Sequence, residues 1–237
     1  MGQYRKSFTG LFKKKRRNLD PKIMITKGGR TTLDESYNRI KDNILHFGAK
    51  GNKVVQVEAS IPGEGKTSLV CNLGVSLAYN DLKVVIVDLD FRNPGVSKVF
   101  GVEETLGVGD YVLDNASIES IIKTTKYGVD VITRGKEVYN SSFVLNSEKM
   151  GEFIEKLKEK YDLILLDCPP VLLMSDYMHI AKYSDGILYA VSANFVKRSA
   201  VKDSLTLIEK VGVPVIGSVM IGVAQSEAFY GYGKEKR

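Results

Sequence analysis

A glycine-rich segment in the first third of the chain has the composition of a phosphate-binding loop. It reads Ser60-Ile-Pro-Gly-Glu-Gly-Lys-Thr-Ser68, between a predicted strand and a predicted helix. Glycines let the backbone approach a ligand closely, so successive N–H groups and the helix N-terminus can bind a polyphosphate. The first glycine of the usual pattern is replaced by Ser60. We predict phosphate contacts from the residues that follow it, namely Pro62, Gly63, Glu64, Gly65, Lys66, Thr67 and Ser68.

Two side chains of this loop suit a nucleoside triphosphate with its metal ion. A lysine at the position of Lys66 reaches the β and γ oxygens, and a hydroxyl at the position of Thr67 ligates Mg²⁺. The alternative is a glycine turn with an incidental lysine. The strand–loop–helix context favours the nucleotide site.

Three acids follow buried-looking strands and could complete such a site. Asp88 ends the run Val84-Val-Ile-Val-Asp88, and Asp90 comes two residues later. Asp167 ends the run Leu163-Ile-Leu-Leu-Asp167, which has the form of a Walker-B strand whose acid holds Mg²⁺ or its water shell. Ligands of parallel α/β folds bind at this carboxyl edge, where unpaired carboxylates would be costly unless a cation or a proton uses them. The alternative for Asp90 is a turn cap before Pro94.

The rest of the chain alternates between helix and strand periodicity from residue 31 onward. Strands without polar alternation are buried on both faces, which is typical of a parallel sheet covered by helices. We therefore predict an α/β doubly wound fold, with a mainly parallel sheet and helices on both faces. The predicted helices are Leu33–Phe47, Thr67–Tyr79, Ser147–Lys160 and Val201–Val211. The predicted strands are Lys53–Glu58, Lys83–Asp88, Val129–Thr133, Leu163–Asp167, Gly186–Val191 and Val215–Ile221.

The charge is concentrated at one end of the chain. Residues 1–30 carry a net +9, and the remaining residues carry −3. We interpret 1–30 as a flexible basic arm, 31–223 as the folded domain and 224–237 as a flexible tail. Phe8, Leu11 and Phe12 precede the basic run Lys13–Arg17, which suits an anionic membrane surface, although a solvated tail is the alternative. A nucleic-acid partner is not expected, because the basic charge is absent from the domain.

The cysteine count and the lack of long apolar runs indicate the cellular compartment that we expect. Cys71 and Cys168 are too few for a disulfide framework, and no signal-peptide pattern is recognised, so we expect a reducing cytoplasm. No uncharged apolar run reaches 18 residues, so we do not expect the chain to span a membrane.

The three segments, in this order and spacing, resemble those of the bacterial tyrosine kinases (BY-kinases). In particular, the chain is similar to the separate cytoplasmic kinase subunit of Gram-positive capsule and exopolysaccharide systems. The resemblance implies a phosphate-loop NTPase fold of the MinD/ParA type, with ATP and Mg²⁺ as cofactors. It also implies autophosphorylation of C-terminal tyrosines, here Tyr230 and Tyr232, in trans on a neighbouring copy. A membrane-embedded modulator would activate the kinase and recruit it to the inner face of the membrane.

The resemblance also implies roles for individual residues. Lys66, Asp88 and Asp90 would be catalytic, with Asp88 as base or Mg²⁺-linked acid and Asp90 assisting it. Thr67, Asp88 and Asp167 would hold the metal. Arg92 would support the segment Val84–Pro94 and contribute to nucleotide binding. The helix that forms rings in this family corresponds to Glu35–Ile44. Its expected interface residues are Glu35, Asn38 and Lys41, of which Asn38 and Lys41 replace arginines usual in the family.

Two other functional classes remain open from the sequence. A ParA/MinD-like ATPase switch would carry a lysine just after the start of the phosphate loop, where this chain has Ile61. An ATP-binding scaffold without phosphate transfer is the second alternative, because the tail holds only two tyrosines.

Overall fold

A computed structural model describes residues 22–49 and 51–223 of the chain. The basic run at Lys13–Arg17 and the tail tyrosines Tyr230 and Tyr232 lie outside the described residues. The strands are β1 (Val54–Glu58), β2 (Val84–Asp88), β3 (Lys123–Thr124), β4 (Asp130–Ile132), β5 (Leu163–Asp167), β6 (Gly186–Ser192) and β7 (Val215–Ile221). The helices are α1 (Thr32–Gly48), α2 (Lys66–Ala78), α3 (Val96–Phe100), α4 (Val108–Asp114), α5 (Ile118–Ile121), α6 (Ser141–Asn146), α7 (Glu148–Lys160), α8 (Asp176–Ala181) and α9 (Arg198–Glu209).

The strands form one sheet in the order β3-β4-β2-β5-β1-β6-β7. All neighbours are parallel except β3 and β4, which are antiparallel. Every residue of β1, β2 and β5 is buried, as expected where both faces of a parallel sheet are covered. The predicted fold class, a doubly wound and mainly parallel α/β sheet, is confirmed.

Alternate side chains of the central strands enter two separate cores. On β5, Ile164 and Leu166 face the core that includes α7. Leu163 and Leu165 face the opposite core, which includes α1 and α2. This period of two is the geometry of a strand. Helices therefore cover both faces and exclude water from the sheet.

Helix starts are fixed by local capping. The hydroxyl of Thr31 accepts the N–H of Asp34 at 3.2 Å, and the Asp34 carboxylate accepts the N–H of Thr31 at 2.9 Å. This reciprocal capping box satisfies N–H groups that have no partner inside α1. At α7 the cap is one-sided: the hydroxyl of Ser147 accepts the N–H of Met150 at 3.2 Å. None of the helices among the described residues is both long and apolar enough to cross a bilayer.

Several short elements were not predicted. They are α3, α4, α5, α6, α8 and β3, each of seven residues or fewer. Such segments span fewer than two helical turns, so they carry too few periodic positions to stand out from loops. The helix predicted at Val201–Val211 is observed at Arg198–Glu209, because its first turn is polar and begins after an extended Lys197.

Residues 22–25, predicted as part of the flexible arm, pack against the domain. Ile25 is buried, and the side-chain carbonyl of Asn72 in α2 accepts the N–H of Met24 at 2.7 Å. The Asn72 amide donates to the carbonyl oxygens of Lys22 at 3.0 Å and Ser68 at 2.8 Å. One buried asparagine thus connects this segment to the helix that follows the glycine-rich loop.

We predict that Asn72→Ala lowers the free energy of unfolding by about 1–3 kcal/mol, because it leaves main-chain groups without partners. Urea unfolding of the full chain measures the loss. The matched control is Asn43→Ala, at an exposed position on α1, which should change stability by less than about 0.5 kcal/mol. Equal stability of the Asn72 and Asn43 variants would show that the segment is not held by these bonds.

Candidate active site

The register of the sheet brings the predicted acids together. Asp88 and Asp167 end the adjacent strands β2 and β5 and lie directly opposite each other in the parallel pairing. β1 lies on the other side of β5 and leads into the glycine-rich loop, so Val57 pairs with Asp167. The carboxyl ends of three central strands therefore meet at the start of α2.

The loop itself has the backbone geometry that its glycines predict. Gly63 has φ +82° and Gly65 has φ +89°, in the left-handed region that side chains rarely adopt. Gly65 is the N-cap residue of α2 and has no side chain to bond the first N–H groups of the helix. These N–H groups remain available to an anion, which the helix dipole also favours.

Ser60 and Glu64 hold the loop from inside. Ser60 is buried, and its hydroxyl lies 2.7 Å from the hydroxyl of Tyr189 in β6. The carboxylate of Glu64 accepts the N–H of Ile61 at 2.9 Å and the N–H of Ser192 at 3.1 Å. The Glu64 side chain, predicted among the phosphate contacts, is therefore engaged within the protein. Only the main chain of Glu64 is left for a phosphate.

Thr67 and Asp167 form the part of the site that best fits a metal ion. The hydroxyl of Thr67 donates to Oδ2 of Asp167 at 2.7 Å. The other oxygen, Oδ1, is buried and has no hydrogen-bond partner. A buried carboxylate oxygen without a partner is costly unless a cation or a proton occupies it. A hydroxyl and a carboxylate are the hard oxygen ligands that Mg²⁺ prefers, so these residues fit Mg²⁺.

Opposing influences act on the pKa of the Asp167 carboxyl group. Burial raises its pKa to about 6, although the nearby Lys66 ammonium and the Thr67 hydrogen bond act in the opposite direction. Among the described residues, no three acidic, His or Cys side chains form a metal cluster on their own.

Asp88 is tied to the main chain of the segment that follows it. Its carboxylate accepts N–H groups from Asp90 at 3.2 Å, Gly95 at 2.9 Å and Val96 at 3.0 Å. The side chain is fully buried, and burial together with the Asp167 charge raises its pKa well above the ordinary value. Asp88 thus fixes the path of residues 90–96 beside the loop.

Asp90 both caps the turn before Pro94 and lies at the candidate ligand site. Its carboxylate accepts the N–H of Asn93 at 3.0 Å, so it does cap the turn before Pro94. It also lines an open cavity of about 820 Å³. The cavity is lined by Pro62, Gly63, Gly65, Lys66, Thr67, Ser68, Asp90, Arg92, Asn93, Pro94, Gly95, Lys98, Pro169, Pro170, Leu173 and Met174.

The cavity separates the predicted residues into two groups. It contains most of the predicted phosphate contacts, with Asp90 and the exposed Arg92 at its wall. The buried Asp88 and Asp167 are not among its lining residues, and neither are Glu35, Asn38 and Lys41 on α1. The Lys41 ammonium donates to the side chain of Asn80 at 3.2 Å within the same chain.

The sequence prediction missed Glu58, which lies behind the loop at the end of β1. One of its oxygens accepts the side-chain amide of Gln56 at 2.6 Å, and the other is buried without a partner. Burial raises the pKa of Glu58 to about 8, while Gln56 and the Lys66 charge act to lower it. The available signal was an acid, two residues before Ser60, in a strand otherwise expected to be buried.

Sequence comparison finds relatives of this chain among known proteins. A family model described as an AAA domain matches residues 52–214. The tyrosine-protein kinase CpsD of Streptococcus agalactiae is 32% identical over 210 residues, covering 86% of this chain and 91% of CpsD. The chain belongs to the bacterial tyrosine-protein kinase family.

Solved structures of this family have the same fold. The chimerical protein CapA2B2 has a TM-score of 0.78 at 26% identity, over 81% of this chain and 85% of that one. The kinase domain of Escherichia coli ETK has a TM-score of 0.74 at 26% identity, over 85% of this chain and 80% of that one. Pyrococcus horikoshii MinD complexed with Mg-ADP, at 24% identity and TM-score 0.62 over 74% of this chain and 73% of MinD, shares the fold.

The family resemblance predicted from the motifs is therefore confirmed, as are the phosphate-loop NTPase fold and the assignment as a tyrosine kinase. The MinD-like switch is not favoured, because the curated relatives are named tyrosine-protein kinases.

We predict that Glu58 makes this kinase less stable as the pH rises. The carboxyl stays protonated in the folded chain up to about pH 8, whereas it ionises near its ordinary value of 4.5 when unfolded. Between these values the folded state binds more protons, so stability falls as pH rises, by at most about 1.4 kcal/mol per pH unit.

Glu58→Gln should remove this contribution while keeping an oxygen for Gln56. Urea unfolding at pH 5, 6.5 and 8 should show the variant gaining on the wild type as pH increases. Glu159→Gln, at an exposed position on α7, is the control and should follow the wild-type profile. Parallel profiles for Glu58→Gln and wild type would contradict the buried protonated carboxyl.

Proposed function

We propose that this kinase transfers the γ-phosphate of ATP to tyrosine hydroxyls, chiefly Tyr230 and Tyr232 of a neighbouring copy. The observation that carries the proposal is the Thr67–Asp167 hydrogen bond with its unpartnered Oδ1, beside the buried Lys66 at the start of α2. Phosphoryl transfer depends on positioning and on neutralising charge, and these groups supply both.

Each group has a defined task in this proposal. The amides of residues 63–68 bind the phosphates, and the Lys66 ammonium contacts the β and γ oxygens. Mg²⁺, held by Thr67 and Asp167, would neutralise charge on the β- and γ-phosphates. Asp88 is also expected at the metal. Its carboxylate accepts hydrogen bonds from three main-chain N–H groups, which keep it next to Asp167. Arg92, which is exposed at the cavity wall, would support the segment Val84–Pro94 beside the nucleotide.

The acceptor tyrosine must lose a proton during transfer. The tyrosine oxygen forms a bond to the γ-phosphorus as the bond between that phosphorus and the β–γ bridging oxygen breaks, which releases ADP. Since the pKa of tyrosine is near 10, a neighbouring carboxylate is useful as proton acceptor. Asp90 lines the cavity, whereas Asp88 is fully buried and its carboxylate already accepts three main-chain N–H groups. We therefore assign the proton to Asp90 and the positioning of residues 90–96 to Asp88.

We also propose the partners that the family resemblance implies. A membrane-embedded modulator would activate the kinase through its cytoplasmic tail and bring it to the inner face of the membrane. The basic run Lys13–Arg17 would add contact with anionic lipid. Copies of the chain would assemble through the helix that carries Glu35, Asn38 and Lys41.

We predict that Lys66→Met weakens Mg²⁺·ATP binding by about 10- to 100-fold, because charge-assisted hydrogen bonds contribute about 1.5–3 kcal/mol. Isothermal titration calorimetry measures the change. Lys202→Met, at an exposed position on α9, is the control and should bind as the wild type does. Unchanged affinity of Lys66→Met would mean that the loop does not bind the triphosphate.

We predict that transfer occurs in trans on the tail. Lys66→Met with an intact tail is mixed with an active Tyr230→Phe/Tyr232→Phe chain, labelled ATP and the modulator's cytoplasmic tail. The Lys66→Met chain should become labelled, and mass spectrometry should place phosphate on Tyr230 or Tyr232.

Three results would contradict parts of this proposal. Absence of label on the Lys66→Met chain, with label on wild type alone, would indicate transfer within one chain. Full labelling of the double Tyr→Phe variant alone would refute the tail as acceptor. Equal rates without the modulator tail would refute activation by that partner.

A further inference from the structure

The cavity at the start of α2 has two walls of different chemistry. One wall is the segment after β2, which contributes the cations Arg92 and Lys98. The other is the segment after β5, residues 169–174, whose lining side chains are all apolar. β2 and β5 are neighbours that end in Asp88 and Asp167, so both walls begin directly after the paired acids. A segment that reaches the γ-phosphate through this cavity lies between a cationic wall and an apolar wall.

The two cations of the first wall have no acidic partner among the residues that the structure describes. Arg92 and Lys98 are exposed, and none of the ion pairs includes either of them or Asp90 on the same wall. The backbone of the wall is fixed, because the Asp88 carboxylate accepts the two N–H groups at the start of α3. Lys98 has no task in the proposed nucleotide site, so its charge is available to a negatively charged group of the acceptor.

The apolar wall is also fixed, and it leaves a leucine uncovered. The N–H of Leu172 donates to the carbonyl of Ser60 at 3.1 Å, which ties the segment to the start of the phosphate-binding loop. The N–H of Leu173 donates to the carbonyl of Pro170 at 3.1 Å, which closes a turn. Leu173 is nevertheless 61% exposed. An exposed leucine is ordinary on a protein surface, but this one extends the apolar wall of a ligand cavity, where covering it is favourable.

The sequence of the tail, which lies outside the described residues, complements these walls at one of its two tyrosines. Tyr230 follows Phe229 directly and Glu227 by three residues, and Glu227 is the only charged residue from 226 to 233. Three residues span at most about 11 Å, so the ring and the acid both stay within reach of a cavity that Tyr230 enters. Tyr232 has glycine on both sides, and its nearest acid stands between two lysines.

We propose that Lys98 and Leu173 select the acceptor in the tail of a neighbouring copy. Lys98 binds the carboxylate of Glu227, and Leu173 packs against the ring of Phe229. Tyr230 is therefore the first acceptor. This inference rests on the proposed transfer to the tail and adds the residues that determine which tyrosine is used. The preferred substrate is a tyrosine with an aromatic residue directly before it and an acid three residues before it.

The two-chain assay tests the ion pair by exchanging its charges. The kinase chain is the double Tyr→Phe variant used above, with or without Lys98→Glu. The acceptor chain is Lys66→Met, with or without Glu227→Lys. Initial rates over a range of acceptor concentrations give KM and kcat for transfer. Lys202→Glu in the kinase chain, at an exposed position on α9, is the matched control.

We expect Lys98→Glu to raise the KM for the acceptor about 3- to 10-fold, because the reversal replaces attraction by repulsion. The kcat should stay within twofold, since the pair acts on binding and not on transfer. ATP affinity and the Lys202→Glu control should be unchanged. Glu227→Lys alone should give a similar rise, and the two changes together should bring KM back to within twofold of the unchanged pair. Failure of the exchange to restore KM would overturn the pairing.

The apolar contact and the order of phosphorylation are tested in the same assay. Leu173→Ser and Phe229→Ala should each raise KM about 3- to 10-fold, and together little more than either, since both remove one contact. Leu106→Ser, at a 41% exposed leucine outside the cavity, is the control. Mass spectrometry of early time points should find phosphate on Tyr230 before Tyr232.

Two kinds of failure are distinguishable. Additive losses for the two apolar changes, or phosphate on Tyr232 first, would overturn the inference and leave transfer to the tail intact. Absence of transfer between chains without any change in the cavity walls would overturn the proposed function itself.

Discussion

Burial of two carboxyl groups side by side, Asp88 and Asp167, is the constraint on which this active site depends. Parallel strands place them opposite each other at the edge of the sheet, and burial raises the pKa of both. Asp88 is compensated by three main-chain N–H groups, whereas Asp167 has the Thr67 hydroxyl, the nearby Lys66 charge and one unpartnered oxygen. The unequal compensation leaves Asp167, of the two, with the oxygen that still lacks a partner.

The same constraint links the glycine-rich loop to the segment after β2. Gly95 donates its N–H to Asp88 and is so close to Thr67 that a Cβ there would lie 2.9 Å from the Thr67 methyl carbon. A larger residue at position 95 would push against the residue that we assign to the metal. Asp88 therefore acts on the metal site partly through the backbone that it holds, and an intact Asp88 side chain matters even where it touches no ligand.

The sequence was sufficient for the features that follow from strand ends and glycines. The loop, Asp88, Asp167 and the parallel sheet could be predicted, because apolar runs that end in an acid locate the carboxyl edge. The pairing of the Glu64 side chain with Ser192 could not, since it depends on residues 128 positions apart. Glu58 was missed for a related reason: an acid in an apolar strand is a signal, but full burial of its side chain depends on packing on both faces of β1, which the strand pattern alone does not establish.

Shared architecture does not separate a kinase from a nucleotide-dependent switch, because MinD has the same fold with a TM-score of 0.62. The difference must come from what can approach the γ-phosphate. Here the wall beside the loop includes Asp90, which is partly exposed at the cavity, so a hydroxyl entering there would meet a proton acceptor. In-line transfer to a separate chain requires that the acceptor oxygen approach the γ-phosphorus opposite the bridging oxygen that leaves with ADP.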